Sequence, residues 1–227
     1  VIAVAVIGAR GRMGSEVCGA VRADPELELV AEVTGPSNLD SLEGADVAVE
    51  FTGPASVKEN VLYCLERRVH AVVGATGLSR EDLEDIARVA KQTGANAFIA
   101  PNFALGAVLM MRFAAEAALH YERSEIVERH HDKKLDAPSG TALRTARLMA
   151  GARQAAGLDE RDIPIHSVRL PGLVAHQEVV FGADGETLTI KHDSLDRASF
   201  MPGVLLAVKR VASLPPLTVG LEHLLEA

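Results

Sequence analysis

Through the first hundred residues, short β-rich runs alternate with stretches whose apolar positions recur at helical spacing. Runs at 1–7, 27–33, 46–52, 70–76 and 96–101 predict strands, and 13–23, 55–68 and 79–93 predict helices. The third helix opens with Ser79-Arg80-Glu81-Asp82, a capping-box-like start, and stops at Gly94. Apolar strands separated by helices predict a parallel sheet covered on both faces, a Rossmann-like doubly wound α/β domain. Only the stretch 34–45, short and without helical period, interrupts the regular winding.

After Asn102 the rhythm changes. A helix at 106–121 leads to a strand at 124–131, a charged loop and a long helix at 139–156. Strands follow at 165–170, 176–182 and 186–193, the last two joined through Ala183-Asp184-Gly185, a hairpin signal. Strands clustered without intervening helices predict a second, α+β domain with a mixed or antiparallel sheet. A final helix at 202–213 is apolar along one face, and the tail carries Pro215-Pro216. This end is expected to return to the first domain, giving domains at 1–102 (completed by 202–227) and at 103–201.

The 227 residues suffice for one large or two modest cores, and 48% hydrophobic with 24% charged residues is ordinary for a globular protein. No apolar run approaches a membrane span, and the opening strand is too short and lacks the basic leader of a signal peptide, so a cytoplasmic protein without a membrane partner is expected. Cys18 and Cys64 show no pairing pattern and read as small core residues. The formal charge of −8 argues against a nucleic-acid partner. It also makes the local cluster His130, His131, Lys133 and Lys134 stand out.

The loop Gly8-Ala9-Arg10-Gly11-Arg12-Met13-Gly14 follows a strand directly and opens a helix. Glycine there permits the tight turn, lets backbone approach a pyrophosphate and packs helix on strand, so the loop predicts dinucleotide binding. An acidic residue at the end of the second strand selects NAD; here Thr34 occupies that place and Glu32 lies two residues early. A carboxylate would repel a 2′-phosphate, and Arg10 and Arg12 add positive charge, so the sequence leans to NADPH with NADH accepted. Two solvated arginines on a loop remain the plainer reading. Gly74-Ala75-Thr76-Gly77 and Ala100-Pro101-Asn102-Phe103 end later strands, where ligands of such sheets bind. Asn102 suits a carboxamide and Phe103 the wall of a nicotinamide ring, although each motif equally suits an ordinary strand–helix turn.

His130 and His131 on extended backbone point to opposite sides, and no Cys or further His stands at ligand spacing, so no metal is expected. A solvated loop explains Lys133 and Asp132. It explains poorly why Ser139-Gly140-Thr141 follows at once, since such a helix start offers a capping hydroxyl and amides for a carboxylate. Lys134 and one histidine fall within a loop's reach of that position, and histidine is the natural proton donor near neutral pH. The residues point to an anionic small molecule as partner.

The run Glu128-Arg129-His130-His131-Asp132-Lys133-Lys134-Leu135-Asp136-Ala137-Pro138-Ser139-Gly140-Thr141-Ala142 resembles the signature of the 4-hydroxy-tetrahydrodipicolinate (dihydrodipicolinate) reductase family. The resemblance extends over the glycine loop, Phe51-Thr52, Val73-Gly74-Ala75-Thr76-Gly77, Ala100-Pro101-Asn102-Phe103 and Leu195-Asp196-Arg197-Ala198-Ser199-Phe200. Gly172-Leu173-Val174-Ala175-His176-Gln177-Glu178 is most similar to the actinobacterial branch. It implies hydride transfer from NAD(P)H to a cyclic dicarboxylate, with loss of water, in lysine and diaminopimelate biosynthesis. It further implies His130 as proton donor or acceptor and Lys134 as proton donor. His131, Gly140 and Thr141 would be substrate contacts, and Arg197 an arginine near the substrate carboxylates. The family is usually a homotetramer assembled through the sheet of the substrate domain. Two departures concern the cofactor: Gly74-Ala75-Thr76-Gly77 lacks one hydroxyl of the usual Gly-Thr-Thr-Gly, and Thr34 replaces an acid. An NAD(P)-dependent dehydrogenase or imine reductase acting on another small dicarboxylate, and a non-catalytic dinucleotide sensor, are the alternatives.

Overall fold

The computed structural model describes residues 1–159 and 161–225. In chain order the elements are β1 (Ile2–Ile7), α1 (Arg12–Ala23), β2 (Leu27–Val33), β3 (Val47–Glu50), α2 (Val57–Glu66), β4 (His70–Val73), α3 (Arg80–Thr93) and β5 (Ala97–Ile99). Next come α4 (Leu105–Ala117), β6 (Arg123–His130), α5 (Gly140–Ala155), β7 (Ile165–Arg169), β8 (Ala175–Ala183) and β9 (Glu186–Ser194), and finally α6 (Met201–Arg210) and β10 (Leu217–Val219). They form two compact units, one of Val1–Phe103 with the chain from Phe200 onward, the other of Ala104–Ser199.

The first unit is built on a six-stranded sheet in the order β10-β5-β4-β3-β1-β2, with every pairing parallel. Parallel strands need crossovers, and the helices that supply them bury both sheet faces. Val57, Val61, Leu65 and Ile86 pack with Ala71, Val73 and Ile99 in one core cluster, whereas Ala5, Ile7, Val33, Ala48 and Cys64 form another. Both cysteines are free and buried, and burial pushes the Cys64 thiol up to about 12. The predicted start of α3 is a full capping box: the Ser79 hydroxyl accepts from Asp82 N, and the Asp82 carboxylate from Ser79 N.

Two features differ from the hydrophobic pattern. The irregular stretch after β2 is a 3-10 helix, Pro36–Leu42, whose last residue is buried against Val33 and Ile7, so one side chain does the covering of a longer helix. The sequence also gave no sign of β10, three residues long and placed just after two prolines. Its position is secured by Asn96, whose Nδ2 donates to the carbonyls of Val211, Ala212 and Leu214 at 3.1, 3.1 and 2.9 Å. Ala97 N then donates to Pro216 O at 2.9 Å, and the strand pairs with β5.

In the second unit β6 lies parallel to β7 and antiparallel to β8, and β8 forms a hairpin with β9, giving the order β7-β6-β8-β9. The sheet is therefore mixed. Helices α4 and α5 cover one face through Ala114, Ala142 and Met149, packed with Ile126, Val179 and Phe181. The buried Arg153 of α5 joins the helices by donating to Ala118 O at 2.7 Å and Tyr121 O at 3.1 Å. Gly106 near the start of α4 lies against the His192 ring, where an added Cβ would come within 2.5 Å.

The junction of β1 and α1 is closely packed. Gly8 has φ +85°, and a Cβ on Gly14 would stand 2.1 Å from the Gly8 carbonyl oxygen. Helix and strand would have to separate to admit a methyl group. Gly14→Ala is expected to cost about 1–3 kcal/mol of unfolding free energy, as overpacking does. An unchanged urea midpoint would show that the junction is looser than described.

Candidate active site

Gly11 is the N-cap of α1 in extended conformation and supplies no side-chain cap, so the first-turn amides of α1 keep their capacity to bind an anion. Gly8 N and Ala9 N donate to Val33 O at 2.9 and 3.2 Å, tying the loop to the end of β2. Arg10, Arg12 and Thr34 are exposed around it, and Ala9 is buried. A cleft of about 110 Å3 beside the loop is lined by Ile7, Gly8, Thr34, Gly35, Leu39, Thr52, Ser56 and Asn60. Among the described residues no acid lines it, and Glu32 is paired with Arg22 of α1. A glycine cradle that any Cβ would fill, an uncapped helix terminus and adjacent arginines fit a dinucleotide pyrophosphate.

The later strand ends are less uniform. Gly74 lies so close to the Phe51 ring that a Cβ would fall 2.1 Å from Cε1, while Ala75 packs against the core, and Thr76 is exposed. Ala100 is buried, Pro101 exposed and Asn102 half-buried. One expectation needs correcting: Phe103 does not offer its ring as a wall. The ring is 2% exposed and lies between Phe51 and Phe98 at centroid distances of 5.9 and 6.0 Å, because apolar packing claims it for the core.

Glu50, at the carboxyl end of β3, was not anticipated. It is 1% exposed; its Oε1 accepts from Thr52 N at 3.0 Å, Asn60 Nδ2 at 3.2 Å and the Thr52 hydroxyl, while Oε2 is buried without a partner. Burial raises its pKa against these hydrogen bonds. It shapes the wall of the cleft by fixing Thr52 and Asn60.

In the second unit the structure brings together the end of β6, the loop 131–138 and the start of α5. His130 is the last residue of β6, with a side chain 14% exposed, and its Nδ1 lies 2.6 Å from Glu128 Oε2. Glu128 itself is fully buried. Its carboxylate takes both terminal nitrogens of Arg169 (2.7 and 2.8 Å) and Ser139 N at 3.1 Å. Arg169 sits directly across from His130 in the β6–β7 register and also donates to Asp136 O at 2.7 Å, which anchors the loop. Lys134 N donates to His131 O at 3.1 Å, and Lys134 Nζ pairs with Asp136 at 2.7 Å. Ser139 caps α5, its hydroxyl accepting from Ala142 N at 3.2 Å.

Gly140 and Thr141 form the first turn of α5, and a Cβ on Gly140 would meet nothing within 4 Å, so the backbone there is open to approach. His131 is half-buried just beyond the strand. Arg197 stands exposed on a separate 3-10 turn (Arg197–Phe200), outside this hydrogen-bonded group. Among the described residues no set of three His, Cys, Asp or Glu could hold a metal ion.

Electrostatics separate the two ionisable partners. Burial pushes the Glu128 carboxyl up, but Arg169, Ser167 and His130 together hold it down at about 2, so it is a carboxylate at neutral pH. Burial lowers the pKa of His130; Glu128 opposes this, and the Lys134 and Arg169 charges add to it. The group is thus a neutral imidazole on an ionised glutamate, beside an ammonium group and a helix N-terminus. Such a set can bind a carboxylate and move a proton. Glu128 and Arg169 were missed as functional residues. A signal existed: strand alternation puts Glu128 on the same face as the buried Ile126 and His130, a costly place for an unpaired charge.

Comparison with known proteins identifies the family. Residues 2–103 match the family model for dihydrodipicolinate reductase, N-terminus, and residues 106–225 that for its C-terminus. A 4-hydroxy-tetrahydrodipicolinate reductase of Streptomyces coelicolor is 51% identical, over 98% of this chain and 97% of that protein. One of Mycolicibacterium smegmatis is 49% identical over 98% of each. A dipicolinate-bound dihydrodipicolinate reductase of Paenisporosarcina sp. TG-14 is 37% identical, superposes with a TM-score of 0.85 and covers 98% of this chain and 99% of that one. A probable dehydrogenase from Thermotoga maritima, 13% identical with a TM-score of 0.69 over 98% of this chain and 92% of that one, shares the fold alone. With both halves of its length matched, the chain belongs to the dihydrodipicolinate reductase family.

Proposed function

We propose that the protein reduces 4-hydroxy-tetrahydrodipicolinate to tetrahydrodipicolinate, with loss of water, in lysine and diaminopimelate biosynthesis, using NADPH and accepting NADH. The observation that carries this reading is the meeting of His130, Lys134 and the first turn of α5 around the buried Glu128–Arg169 pair. A ring bearing two carboxylates calls for cationic and amide donors, and this cluster offers both. The first unit is the dinucleotide-binding domain and the second the substrate domain.

In this reading the bound dihydronicotinamide supplies a hydride. The amides of Gly140 and Thr141 take one substrate carboxylate, with His131 and Arg197 as further donors. The ring loses its hydroxyl together with a proton from the neighbouring carbon as water; hydride addition to the resulting conjugated imine leaves negative charge on the ring, which the Lys134 ammonium quenches by giving up a proton. His130, neutral with Nδ1 engaged by Glu128, serves the substrate through Nε2. Gly8, Ala9, Arg10, Gly11, Arg12 and Met13 hold the pyrophosphate, and Thr34 leaves room for a 2′-phosphate. Gly74, Ala75, Thr76, Ala100, Pro101, Asn102 and the backbone of Phe103 line the nicotinamide end. The family resemblance supports a homotetramer formed through the second unit's sheet, in the cytoplasm. No helix of the described residues is long and apolar enough to cross a membrane.

NADPH oxidation with the hydroxylated heterocycle tests the reading. Oxidation only with another dicarboxylate would favour a different dehydrogenase or imine reductase, and tight cofactor binding with no turnover would favour a sensor. Lys134→Ala is expected to lower kcat by about 10²–10⁴-fold, the usual worth of a positioned acid, with unchanged cofactor affinity by fluorescence titration. Wild-type turnover in this variant would remove Lys134 from the mechanism. Arg12→Ala is expected to weaken NADPH by about tenfold or more, the loss of one charge-assisted phosphate contact, and NADH far less. Equal losses for the two cofactors would refute the contact with the 2′-phosphate.

A further inference from the structure

We propose that Glu128 is a positioning residue that fixes His130 as the Nδ1–H tautomer, so that Nε2 meets the substrate as a proton or hydrogen-bond acceptor rather than a donor. Glu128 is fully buried, and each of its oxygens already accepts from Arg169, with Ser139 N on Oε1. A carboxylate so placed has no proton to donate. The 2.6 Å contact with His130 Nδ1 therefore places the hydrogen on the ring. In a neutral imidazole the other nitrogen is then a lone pair.

The elements packed around the ring reinforce this state. Glu128 faces it from the same strand, Arg169 from β7, and Lys134 from the loop, where it is paired with Asp136. Arg169 keeps the glutamate ionised, and the glutamate keeps the tautomer. Lys134 and Arg169 discourage a second positive charge on the ring, as does burial. The proton donor of the pair is therefore Lys134, and His130 is the acceptor. Because the same carboxylate receives Ser139 N, the ring and the helix terminus that would hold a substrate carboxylate are fixed to one group.

This inference deepens the reductase reading and rests on it for the word substrate, but the tautomer is a property of the chain alone. The test is imidazole ¹⁵N NMR of the full-length protein, histidine-labelled, between pH 5 and 9, with His130 assigned by His130→Gln. Expected for wild type is one neutral form with a protonated Nδ1 and an unprotonated Nε2. In Glu128→Gln the amide has a single acceptor oxygen for Arg169, Ser139 and His130 together. That variant should lose the single-tautomer signature, titrate His130 at lower pH, and lose about 10²–10⁴-fold in kcat, with cofactor affinity unchanged. A wild-type ring protonated on Nε2 would overturn the proposal even if the variant failed to fold. So would a folded variant with the wild-type tautomer and titration. The expected tautomer without NADPH oxidation on the hydroxylated heterocycle would instead sink the reductase reading and leave this assignment standing.

Discussion

A single buried carboxylate organises the second unit's functional end. Glu128 joins its own strand to β7 through Arg169, to the loop through Arg169 and Asp136, and to α5 through Ser139 N. A charge in that position is tolerable only when paired and hydrogen-bonded, and removing one partner of such a pair costs about 3–5 kcal/mol. The requirement runs in both directions. Arg169 fixes the state of Glu128, and Glu128 fixes His130, so the chemistry at the end of β6 depends on residues that need never touch a substrate.

The first unit solves a different problem by a steric route. Its glycine loop has this shape only if α1 approaches β1 closely, and the Gly8–Gly14 contact makes that approach possible. The wall of the cleft beside it is stiffened by Glu50 through Thr52 and Asn60. Each unit therefore keeps a glutamate out of water near its own candidate residues, one fully paired and one with an oxygen to spare.

Much of this was legible from residues alone because the underlying signals are local. Periodicity placed β1 to β9, the Ser79–Asp82 cap marked a helix start, and glycine spacing marked the loop. The family signature singled out His130 and Lys134, which the structure sets around one network. Non-local signals were lost. β10 is too short to show a period and exists because Asn96 captures carbonyls more than a hundred residues away. Arg169 gains meaning only from strand register, and the Phe103 ring, which looked available for a cofactor, is held by two other aromatics. Alternation along β6 was enough to put Glu128 beside His130, and the motif's cations drew attention away from it.

In the proposed arrangement the Glu128 network presents His130 Nε2, Lys134 and the α5 amides to one dicarboxylate. A crystal structure of the protein with NADPH and pyridine-2,6-dicarboxylate measures this directly. The expected complex has one ligand carboxylate on the amides of Gly140 and Thr141, with Nε2 of His130 facing the ring and Nδ1 still on Glu128. A dicarboxylate bound away from α5, or an imidazole turned off Glu128 in the complex, would contradict it.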